Sequence, residues 1–132
     1  MALKVELKPN ERVIIGKAVI RNGETRARFF IEGAAPILRE KDILTAQTAT
    51  TPAKRIYLAT QLMYLEGDVD AHHAVYFELV GDFMAAVPSA LPIIAELNAR
   101  ILSGDLYKAL RCARQLVAHE ESIVERATSA AA

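Results

Sequence analysis

Cysteine occurs once in this 132-residue chain, and no stretch approaches the roughly 18 uninterrupted apolar residues that cross a bilayer. The lone Cys112 therefore has no internal disulfide partner, and its apolar helical context suits a small buried hydrophobe. Residues Met1 to Lys8 lack the basic-then-apolar order of an export signal, so the expected location is the cytoplasm, with no membrane partner. Glycine-rich phosphate loops and nucleophile motifs are also missing, which argues against an enzyme and leaves no catalytic residue to name. His72-His73 beside Asp68 and Asp70 has the composition of a metal cluster. Adjacent histidines on a helix point in different directions, however, and no third ligand stands at a standard spacing. His119-Glu120-Glu121 lacks the second histidine of a zinc-protease helix and reads as a solvated face. Neither a metal nor another cofactor is expected.

What is present is a 52% hydrophobic content, ample for a folded core. The formal net charge is zero, but residues 1–65 hold eleven basic against six acidic residues, and residues 66–132 hold five basic against ten acidic. A chain polarised in this way can offer a positive surface to a polyanion from its first half; the two halves attracting each other is the plainer alternative.

The first forty-odd residues read as strands. Leu3, Val5 and Leu7 alternate with Lys4, Glu6 and Lys8, followed by the turn Lys8-Pro9-Asn10-Glu11. Val13 to Ile15 form the next strand, then Ala18 to Arg21, and Asn22-Gly23 is a strong type I′ hairpin signal leading into Thr25 to Glu32. Alternation in that strand separates Ala27, Phe29 and Ile31 from Arg26, Arg28 and Phe30. From Thr51 the period becomes helical. Thr51-Pro52 is an N-cap with proline at the first helical position, ahead of a stripe of Ile56, Leu58, Ala59, Leu62, Met63 and Leu65, and Gly67 ends it. A second helix is predicted over Ala71–Val87 with Val75, Leu79, Phe83 and Val87 inward, and a third over Ser89–Ile101. The fourth carries Leu106, Leu110, Ala113, Val117, Glu120 and Val124 as a near-heptad seam that serves either a bundle or a homodimer. The fold class is α+β: a small N-terminal antiparallel β-sheet or barrel over residues 1–48, then a bundle of about four helices over 51–127, with 128–132 a frayed tail.

The runs Leu7-Lys8-Pro9, Ala18-Val19-Ile20-Arg21-Asn22-Gly23 and Ile37-Leu38-Arg39-Glu40-Lys41-Asp42-Ile43 resemble the motif order of the FlbT family. Thr51-Pro52-Ala53-Lys54-Arg55-Ile56-Tyr57 and Met63-Tyr64-Leu65 are similar to it too, so the resemblance covers about half of the chain. It implies a post-transcriptional regulator of flagellin synthesis that acts at the 5′ leader of the flagellin mRNA, with either sign of control. It also implies an association with FlaF, a small flagellin-related partner, or with flagellin. A second expectation follows: a protein-interaction adaptor or flagellin-linked chaperone acting through the helical half.

RNA recognition needs cations for phosphates and planar groups for unstacked bases. Arg21, Arg26, Arg28 and Phe30 are expected to project together around the Asn22-Gly23 turn. Arg39 and Lys41 form a second cluster. Lys54 and Arg55 lie in a helical first turn, where cations oppose the helix dipole and suggest an anionic partner. The unifying expectation is that the N-terminal sheet gathers its own arginines and lysines into one continuous cationic face.

Overall fold

Strict alternation builds the first strand. In the computed structural model, which describes residues 2–131, β1 (Ala2–Leu7) buries Val5 and Leu7 and turns Lys4 and Glu6 outward. Four more strands follow: β2 (Arg12–Ile15), β3 (Ala18–Arg21), β4 (Ala27–Glu32) and β5 (Ile37–Arg39). They form two small antiparallel sheets, one of β1 with β4 and one in the order β3-β2-β5. Val5, Leu7 and Val13 make the buried cluster, with Ile15, Phe29, Ile31 and Ile37 packed against it. The class is α+β as expected, and among the described residues no barrel closes.

The hairpin lies elsewhere than Asn22-Gly23. β3 pairs back onto β2, with Ile15 opposite Ala18, so Gly16-Lys17 is the two-residue loop. Gly16 has φ 63°, the positive value that the first position of a type II′ turn requires. Asn22 instead acts as a staple: its Nδ2 donates to the carbonyls of Leu7, Lys8 and Thr25 at 3.2, 2.8 and 2.9 Å. β4 therefore leaves β3 and pairs with β1, from Ala2 opposite Glu32 to Leu7 opposite Ala27. The Lys8–Glu11 turn is present, closed by Glu11 N–H donating to the Lys8 carbonyl at 3.1 Å, with Asn10 at φ 63°. Asn22→Ala should cost roughly 1 kcal/mol, since it removes the amide whose two hydrogens are shared among these three carbonyls, two of them at the surface. Gly23, which has no positive φ and nothing within 4 Å of an added Cβ, should accept alanine almost neutrally. Urea midpoints of the two variants check the contrast.

Contacts divide the chain into a unit ending at Ile43 and one starting at Leu44, so the joint expected at Thr45–Thr51 belongs with the helices. The second unit holds α1 (Pro52–Glu66), α2 (His73–Ala86), α3 (Leu91–Leu102) and α4 (Leu106–Ala131). Thr51 Oγ1 accepts from Lys54 N–H at 3.2 Å, and Gly67 ends α1 at φ 67°. Gln61, 4% exposed, joins the segment before α1 to the helix: its Oε1 accepts from Leu44 N–H and its Nε2 donates to the Leu44 carbonyl, both at 2.9 Å. The inward row of α2 is Tyr76, Val80 and Phe83, while Val75 is exposed. A strict four-residue row drifts about 40° around a helix at each step, whereas steps of four and three stay on one face. Pro88–Ala90 is a single 3-10 turn that precedes α3, where one continuous helix was expected. On α4, Ala109, Leu110, Cys112, Ala113 and Leu116 are buried, so of the expected seam Leu110 and Ala113 lie in the bundle core while Val124 is exposed. The helix continues to Ala131 across the segment expected to fray; Ala132 lies outside the described residues. No helix among the described residues is long and apolar enough to cross a membrane.

Candidate nucleic-acid interface

Period-two geometry turns Arg28, Phe30 and Glu32 of β4 outward while Ala27, Phe29 and Ile31 face in, the split expected from the sequence. The β1 register then sets Lys4 directly opposite Phe30 and Glu6 directly opposite Arg28. Phe30 is 62% exposed, a large value for a phenyl ring on an ordered strand. Arg26, also exposed, precedes β4. The face carries the cations Lys4, Arg26 and Arg28 against the carboxylates Glu6 and Glu32.

Glu6 tempers this surface. Its Oε1 lies 3.2 Å from Lys4 Nζ. That hydrogen bond and the Lys4 charge, helped by Arg28 and Arg26, hold its carboxyl below the usual carboxylate range. The small stabilisation this gives is present above the ordinary carboxylate pKa and is lost as pH falls through the lowered one.

The other expected contacts are not gathered there. Arg21 ends β3 in the other sheet, opposite Arg12. Arg39 is already engaged: its Nη2 donates to the Glu6 carbonyl at 2.7 Å and sits 3.8 Å from Glu11 Oε2. Lys41 lies in a 3-10 turn and, with Lys8, Asn10, Glu11, Arg39 and Glu40, borders a groove of about 460 Å³. Lys54 and Arg55 belong to the helical unit, and the anion at that helix start is internal: Glu120 Oε2 accepts from Ala53 N–H at 3.0 Å. Glu120 is therefore a long-range cap and not simply part of a solvated face. Among the described residues of the strand unit, Arg26, Arg28 and Phe30 share one face with Lys4, and Arg21 lies on the other sheet.

The chain matches the family described as flagellar protein FlbT over residues 3–124. It belongs to the FlbT family. A probable flagellum biosynthesis repressor protein FlbT 1 of Bradyrhizobium diazoefficiens is 58% identical over 124 residues, 93% of this chain and 85% of that protein. A probable flagellum biosynthesis repressor protein FlbT of Rhodopseudomonas palustris is 53% identical over 96% of this chain and its own full length. The flagellum biosynthesis repressor protein FlbT of Caulobacter vibrioides is 33% identical over 92% of this chain and 88% of that protein. No solved structure matches. FlbT is a family of regulators and not of enzymes.

Elsewhere in this FlbT-family chain, the polar groups with the composition of a metal cluster have structural partners. His72 Nε2 pairs with the Glu66 carboxylate, and Asp68 Oδ1 accepts from Ala71 N–H at 3.2 Å. Burial, chiefly, raises the Cys112 thiol pKa, which disfavours the thiolate that a nucleophile or metal ligand needs. Lys4 is the member of the β1–β4 face that sequence reasoning missed. Its only signal was the alternation of β1, and its position opposite Phe30 depends on a pairing that the Asn22-Gly23 reading had assigned to β3.

Proposed function

We propose that this chain regulates flagellin synthesis in the cytoplasm after transcription, by binding the 5′ leader of the flagellin mRNA and altering its translation or stability. The coarser part, a regulatory role in flagellar synthesis, is supported by membership of a family whose relatives are named repressors of flagellum biosynthesis. For the RNA step, the single supporting observation is the outward face of β1 and β4, where the exposed Phe30 lies opposite Lys4 and two residues along β4 from Arg28. An exposed ring stacks on an unpaired base, and flanking cations take the adjoining phosphates. Fluorescence anisotropy of a labelled leader RNA, titrated with salt, tests the reading: affinity should fall steeply as salt displaces the phosphate contacts.

Removing the face's internal carboxylate gives a gain-of-binding check. Glu6→Gln frees Lys4 and deletes a charge that repels phosphate, so leader RNA should bind about two- to fivefold more tightly at low salt, with the gain shrinking at high salt.

A second reading, an adaptor or flagellin-linked chaperone that binds a FlaF-like protein or flagellin, draws on the exposed Val75 and Phe77 of α2. Phe77→Ser should weaken such a protein contact and leave RNA affinity unchanged, as a pull-down and an anisotropy titration run in parallel would register.

A further inference from the structure

β3 is a sheet edge whose four residues are all exposed, with Val19 at 64% and Ile20 at 41%. Its alternation is set by the Gly16-Lys17 loop: Ala18 and Ile20 exchange hydrogen bonds with Ile15 and Val13. Asn22 N–H donating to the Glu11 carbonyl at 2.8 Å continues the same phase. The N–H and C=O groups of Val19 and Arg21 therefore point away from β2, and among the described residues no backbone group meets them. Such an edge is a template for another strand unless something protects it.

Charge narrows the occupant. Arg12 lies directly opposite Arg21 on one sheet face, a like-charge pair that repels, and Lys17 flanks Val19 on the same side. None of the three has a carboxylate within 4.0 Å among the described residues, and no acidic residue occurs from Arg12 to Gly23. A second copy fits poorly. Outward hydrogen-bonding groups occur at odd positions only, so antiparallel self-pairing is centred either on Val19, with Lys17 facing Arg21 twice, or on Ile20, with two Arg21 side chains diagonal to each other. A nucleic-acid backbone brings acceptors but no regular row of donors for the Val19 and Arg21 carbonyls.

We propose that β3 receives an extended acidic segment of a partner protein as an antiparallel fourth strand of the β3-β2-β5 sheet. Its carboxylates stand four residues apart, facing Lys17 and the Arg12–Arg21 pair, with an aliphatic residue between them against Val19. Main-chain bonds supply affinity and the two carboxylates supply selectivity. This surface is separate from the β1–β4 face, so it stands or falls independently of RNA binding.

The test uses the full chain, isotope-labelled for NMR, and a blocked synthetic peptide with two glutamates four positions apart around a valine. The expected result is saturable amide shifts centred on Val19 and Arg21, with a lysine-for-glutamate peptide binding about tenfold or more weakly. Val19→Pro, which removes an outward donor without a ladder bond to β2, should abolish the shifts. Arg21→Glu, at an exposed position where folding is not at stake, should weaken binding by at least about tenfold. Equal binding of both peptides, shifts away from β3, the same amides answering to a leader-RNA oligomer instead, or to dilution of the protein alone, would each overturn the proposal.

Discussion

Replacing Arg26 and Arg28 together by alanine should lower affinity for leader RNA by roughly 10- to 100-fold, because charge-assisted contacts contribute about 1 kcal/mol or more apiece. The slope of log affinity against log salt should fall by about 1.4, at about 0.7 per phosphate on a single strand. Both side chains are exposed on or beside β4, so circular dichroism and the unfolding midpoint should stay put. Phe30→Ala separates the two physical contributions: it should cost roughly 1–3 kcal/mol of stacking while leaving the salt slope unchanged. A double arginine variant that folds normally and binds with undiminished affinity would remove this face from consideration.

The second large effect is on stability. Gln61→Leu keeps the volume of a buried side chain but leaves the Leu44 N–H and carbonyl without partners. Each unsatisfied buried group costs about 1–3 kcal/mol, and Leu44 is partly buried, so the helical unit should lose roughly 2–4 kcal/mol. Thermal unfolding followed at a helix signal should then shift down by about 10 °C or more. An unchanged midpoint would mean that water replaces the amide and that Leu44 does not depend on α1.

What the sequence disclosed was local. Thr51, Pro52 and Gly67 announce the ends of α1 because a cap depends only on residues within a turn of it. The outward set of β4 was legible because alternation is a property of one strand. Pairing was not legible. Asn22-Gly23 has hairpin chemistry, yet the Asn22 amide bonds fourteen and fifteen residues back, to Lys8 and Leu7, and Gly16-Lys17 closes the hairpin instead. The same cause hid the make-up of the β1–β4 face: Lys4 joins Phe30 only through the β1–β4 register, and Arg21 lies elsewhere because β3 pairs with β2. Glu120 was read as solvated because its partner, the Ala53 N–H, is sixty-seven residues distant in sequence.

RNA bound across β1 and β4 would lay a base against Phe30, where a photocrosslink can capture it. Leader RNA carrying 4-thiouridine, irradiated with the full chain and followed by peptide mass spectrometry, should give adducts concentrated in the β4 peptide at Phe30, lost on Phe30→Ala and suppressed by high salt. Adducts confined to residues after Leu44, or none from a protein that still binds the leader, would contradict it.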